Sequence, residues 1–109
     1  DTIAQGEWGE VNSEVTVSLV EKYLALTESA RAKATPAVES GSAEESNLQD
    51  MMRMCDDYAY DARHFLENGD LVRAFGAINY AHAWIDAAVR LGFLNGHGDD
   101  QLFTLPRDS

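Results

Sequence analysis

The sequence predicts an all-α fold: a three-helix bundle built on an antiparallel helical hairpin, with flexible acidic tails. Three observations predict it. Apolar residues recur at spacings of three and four over long runs, which places them on one face of a helix and of no other regular structure. Asn68-Gly69-Asp70 separates two such runs by a connection so short that the helices must lie side by side and antiparallel. The third apolar run, nearer the N-terminus, is set off by a stretch rich in Ser, Glu, Ala and Gly, long enough to bring it back along the hairpin.

The elements follow in order. Residues 1–12 show no period, and we expect a flexible lead-in, with Trp8 as its one large apolar side chain. A first helix is expected over about 13–34, capped by Ser13. Its row is Val15, Leu19, Tyr23, Leu26 and Ala30, widened by Val20 and Leu24. Pro36 should end it, because the residue before a proline is driven out of the helical region. Residues 35–46 read as a linker with no reason for order of their own. A second helix is expected over 47–68, with Leu48, Met51, Met52, Cys55, Tyr58, Ala59, Ala62, Phe65 and Leu66 on its apolar face. A third is expected over 71–91, with Leu71, Ala74, Phe75, Ile78, Ala81, Ile85, Ala88 and Val89 inside. Gly69 suits the left-handed position after a helix, Asp70 suits the next N-cap, and Gly92 should end the third helix as Gly69 ends the second. The tail, 93–109, carries an apolar patch (Leu102, Phe103 and Leu105) expected to dock on the bundle or on a partner.

Composition bounds the function. The chain has 19 acids against 8 bases, a formal charge of −11, and only two lysines, Lys22 and Lys33. Such a surface repels phosphates and anionic lipid, so no direct nucleic-acid binding and no membrane association is expected. An acid surplus with few lysines suits concentrated salt, where the Debye length falls to about 3 Å at 1 M and self-repulsion is screened. A halophilic source is therefore expected. The single cysteine, Cys55, allows no intrachain disulfide and reads as a core residue. No apolar run approaches the ~20 residues of a membrane span, and no signal sequence opens the chain. A cytoplasmic location is expected.

The pattern Tyr60-Asp61-Ala62, His64-Phe65-Leu66, Gly69-Asp70, Ala74-Phe75, Asn79-Tyr80-Ala81-His82, Asp86-Ala87 and Arg90-Leu91-Gly92 resembles the archaeal domain-of-unknown-function 357 family. The likeness covers the first helix loosely and 47–92 well, and the run NYAHAWIDAAVRLG is its specific part. The resemblance implies a small three-helix bundle from an archaeon, with no assigned activity. The linker and both tails depart from the family pattern.

One polar cluster stands out. Asn79, His82 and Asp86 share a helical stripe, with His82 and Asp86 one turn apart, a spacing that lets a carboxylate orient an imidazole. Counting back from the turn at Gly69, Asp61 or Tyr58 should face Asn79 or His82 across the hairpin. Three readings stand together: a buried hydrogen-bonded network that fixes helix register, a small-ligand or metal site, and a partner-binding or catalytic patch. No Glu-x-x-His pair marks a di-metal bundle, and no metal or other cofactor is expected. No nucleophile stands beside His82, and the spacings Arg73 to His82 and Arg63 to His64 do not match the Arg–His motif of helical ribonucleases. Tyr80 and Trp84 project away from the main apolar stripe and, with Trp8 and the tail patch, mark a candidate partner surface. The expected function is a non-enzymatic interaction or scaffold module that pairs with a second copy or another protein. A small-ligand protein using Asn79, His82 and Asp86 is the alternative.

Overall fold

The computed structural model describes residues 12–107. Three helices form it: α1 (Val17–Lys33), α2 (Ala43–Glu67) and α3 (Leu71–Arg90), with two-residue strands β1 (Thr35–Pro36) and β2 (Leu94–Asn95). The chain is an all-α bundle, and most of its contact lies between α2 and α3. The expected lead-in, Trp8 included, falls almost wholly outside the described residues.

Local chemistry sets each boundary. The first helix starts later than expected, because Thr16 and not Ser13 caps it: the Thr16 hydroxyl accepts the Leu19 N–H at 3.1 Å. It ends at Lys33, and Ala34 and Thr35 turn extended ahead of Pro36. The second helix starts four residues earlier than expected. Ser42 accepts the Glu45 N–H at 3.0 Å, and the Glu45 carboxylate reaches back to the Gly41 N–H at 2.8 Å. This reciprocal arrangement, a variant of the capping box, orders what the composition presents as linker. The two helix ends at Gly69 and Gly92 are closed alike. Each glycine sits at positive φ (77° and 84°), and the following N–H, of Asp70 or Phe93, bonds back to Phe65 or Ala88 at 2.8 Å. Asp70 then caps α3 by accepting the Arg73 N–H at 3.2 Å.

The core is one cluster. Ile78 and Ile85 of α3, Val20 of α1 and Cys55 of α2 are fully enclosed, with small residues (Ala30, Ala62, Ala74, Ala81, Ala88) letting the helices approach. In α1 the centre of the buried row is Val20, Leu24, Thr27 and Ala30, while Leu19, Tyr23 and Leu26 lie at its margin. Residues following α1 and α3 meet at one end of the bundle. Thr35 pairs with Asn95 and Pro36 with Leu94, antiparallel, and the Ala37 N–H donates to the Phe93 carbonyl at 2.9 Å. From this clip the tail folds back over α3.

Candidate functional site

The site lies where α1, α3 and the tail converge. His82 projects from α3 between the other two. Its Nε2 lies 2.8 Å from the Leu102 carbonyl oxygen, and its Nδ1 lies 2.9 Å from the Thr27 hydroxyl. A carbonyl can only accept, so Nε2 carries a proton and donates it. The second ring nitrogen, Nδ1, shares a hydrogen bond with the Thr27 hydroxyl. One turn on, Asp86 accepts the Thr104 N–H at 2.9 Å, with Oδ1 3.7 Å from His82 Nε2. Arg90 adds a third rung by donating to the Leu105 carbonyl at 3.2 Å. Three side chains spaced along α3 therefore hold backbone groups of the tail between Leu102 and Leu105.

The tail is shaped to meet them. Asp99 accepts the N–H groups of Gln101 and Leu102 (3.0 and 3.1 Å), and its other oxygen takes Lys33 Nζ at 2.8 Å. The Lys33 ammonium, aided by those two N–H donors, holds the Asp99 carboxyl below the usual carboxylate range. Asn95 accepts the His97 N–H at 2.8 Å, and His97 reaches the Thr35 hydroxyl at 2.9 Å. Phe103 is 4% exposed. It packs so closely on Gly96 that a Cβ there would stand 2.8 Å from its ring.

The sequence-derived residues separate here. His82 and Asp86 meet, but their partners are Thr27 and the tail backbone. Asn79 donates within its own helix to the Phe75 carbonyl at 2.9 Å and is exposed. Asp61 is exposed and has no hydrogen bond or ion pair among the described residues. Tyr58 faces the Tyr80 ring, 4.4 Å between centroids and edge to face, rather than Asn79 or His82. The expected cross-hairpin partnership of Asp61 or Tyr58 with that pair is not formed. The reason is rotation: the His82 and Asp86 side of α3 faces α1, not α2. Tyr80 and Trp84 continue the aromatic row at 6.2 Å, and Trp84 Nε1 is buried with no hydrogen-bond partner among the described residues. Leu102, Phe103 and Leu105 pack against the chain's own core. Sequence reasoning missed Thr27, 3% exposed, whose place in the Val20-Leu24-Thr27 spacing was the available signal.

The order hydroxyl, imidazole, carboxylate resembles a nucleophilic relay, but burial removes Thr27 from any substrate. Cys55 is equally enclosed, and burial, with the nearby Asp56 charge, pushes its thiol up to about 11. Among the described residues, no group of three His, Cys, Asp or Glu side chains is placed to hold a metal ion. No helix among them is long and apolar enough to cross a membrane.

A family model described as "Protein of unknown function (DUF357)" matches residues 22–94, most of the chain. The chain belongs to the DUF357 family. No curated protein and no solved structure matches it. The DUF357 match takes in Thr27, Asn79, His82 and Asp86 and stops at Leu94, before the backbone groups that His82 and Asp86 hold.

Proposed function

We propose that this DUF357 protein is a non-enzymatic interaction module that pairs with a second copy of itself through the outer face of α3, in the cytoplasm of a salt-adapted archaeon. One observation carries the reading. Val72, Gly76, Tyr80, Ala83, Ala87 and Leu91 follow the helical spacing down the outside of α3 without a single acid, in a chain of 19 acids. Val72 is 73% and Leu91 70% exposed. Apart from the side that carries Asn79, His82 and Asp86, α3 is apolar on its outer face as well as its inner one. Two copies of a −11 chain repel over most of their surface, and this strip is where they meet without opposing carboxylates. Arg73 and Arg90 flank its two ends, held within the chain by the Asp70 carboxylate at 3.6 Å and the Leu105 carbonyl at 3.2 Å, so that cations rather than carboxylates border the strip. Among the described residues nothing lies within 4 Å of a Cβ added at Gly76, so their packing gives no reason for a glycine there, whereas close approach of a second helix does. The enclosed Thr27 and Cys55, and a His82 with both nitrogens engaged, support the non-enzymatic reading.

Sedimentation equilibrium in molar KCl tests the pairing. The expected mass is twice 12.0 kDa, falling toward 12.0 kDa in dilute salt and in Tyr80→Glu at any salt. A 12.0 kDa species throughout overturns the second copy as occupant, and a different protein recovered on the same face would replace it. A second reading, a small-ligand protein, is supported by one observation: Asn79, His82 and Asp86 line a single cavity of about 290 Å³.

A further inference from the structure

The cavity beside the tail carries one charged group on its wall, the Asp86 carboxylate. Tyr23, Leu26, Asn79, Ala83, Asp86 and Gln101 surround it, with the His82 ring as a further wall. Two donors on that wall are engaged within the chain. His82 gives its Nε2 proton to Leu102, and Asn79 gives an amide proton to Phe75. That second bond fixes the Asn79 amide, because only its nitrogen can donate to a carbonyl, and its Oδ1 is left as an acceptor. Asp86 binds Thr104 through Oδ1, and its Oδ2 has no partner among the described residues. A carboxylate oxygen and an amide oxygen thus stand on one helix edge, one of them anionic, next to the apolar surfaces of Leu26 and Ala83. The Tyr23 ring offers a face to a cation, and the ammonium of its sequence neighbour Lys22 lies 5.9 Å from its centroid.

We propose that this cavity binds the head of a primary alkylammonium ion, with Asp86 Oδ2 and Asn79 Oδ1 accepting its N–H groups and the short alkyl chain lying on Leu26 and Ala83. The inference rests on the small-ligand reading of the cavity, which shares Ala83 alone with the strip proposed for pairing. A volume of about 290 Å³ suits a chain of a few carbons. The surplus of 11 negative charges raises the local concentration of any cation. The same head is carried by free amines and by lysine side chains.

Titration of isotopically labelled protein at fixed ionic strength tests it, with n-butylammonium and a blocked lysine amide as the two amine sources. 1-Butanol and butyrate serve as neutral and anionic controls. Saturable shifts confined to the amides around residues 79, 86 and 101 are expected with at least one amine, and the tighter of the two names the source. Asn79→Leu, which leaves every tail contact in place, should weaken binding about tenfold. Asp86→Asn should weaken it further, and its tail amides report whether the tail stays docked. Butanol or butyrate binding as well as the amines overturns the ammonium but keeps a ligand site. Silence from all four compounds removes both.

Discussion

The two long sides of α3 are built to opposite rules. On the side toward α1 and the tail, polar side chains find a backbone group or hydroxyl of the same chain: His82 with Leu102 and Thr27, Asp86 with Thr104, and the exposed Arg90 with Leu105. On the outer side nothing polar is arranged, and apolar residues from Val72 to Leu91 face outward. The difference teaches that polarity and interior location are not opposites in so small a bundle. Polar groups on the inner side gained partners from the tail and from α1, while the apolar groups outside have no cover among the described residues.

The largest test of that contrast is Phe103→Ala. The ring is 4% exposed, and its removal should cost about 3 kcal/mol in urea unfolding and release the rungs above it. If stability hardly changes, the tail is not part of the interior and the contrast fails. His82→Ala and Asp86→Ala come next, each leaving a tail backbone group without its partner, at roughly 1–3 kcal/mol. Asn79→Ala, on the same stripe but bonded only within α3, should stay within about 0.5 kcal/mol. Equal losses at all three positions would restore the single network that their spacing suggested.

Gly76→Ala sharpens the other side. A Cβ there meets nothing within 4 Å among the described residues, so the isolated chain should gain up to about 1 kcal/mol of helix propensity. The associated form should weaken if a second helix packs on that glycine. Measuring unfolding in dilute salt and mass in molar KCl separates the two effects. The smallest effect is at Asp99. Its carboxyl is held below its ordinary value by Lys33, so the folded state favours the ionised form. That contribution is complete above about pH 5 and is lost as pH falls through the lowered folded value. Melting temperature from pH 5 down to pH 2 should fall less steeply in Asp99→Asn than in the parent chain.

The bundle itself was legible because Leu48 to Leu66 and Leu71 to Val89 repeat their spacing on either side of an unambiguous turn. Asp70, Gly69 and Gly92 carry local chemistry that needs no tertiary information. The start of α2 was less so: Ser42 and Glu45 form their cap inside a stretch whose overall composition suggests a linker. The candidate site was half legible. His82 and Asp86 announced themselves by spacing, but their partners lie 20 and 18 residues away on a tail without periodicity, and 55 away at Thr27. A threonine in an apolar row gives little warning that it is a hydrogen-bond partner of another helix. Which neighbour a given side of α3 faces depends on rotation about its axis, and Asp61 was assigned across the wrong interface for that reason.

The small clip between Thr35–Pro36 and Leu94–Asn95 has a kinetic consequence. Its members, with the Thr35–His97 bond beside them, span 62 residues of chain, so loop closure must come before any reward. The hairpin's partners are near in sequence and meet at little loop-closure cost, while the clip joins distant segments and should close late. Hydrogen exchange should therefore find the amides of Ala37 and Phe103 opening well before those of Ile78 and Ile85, a frayed hem on a garment whose seams hold.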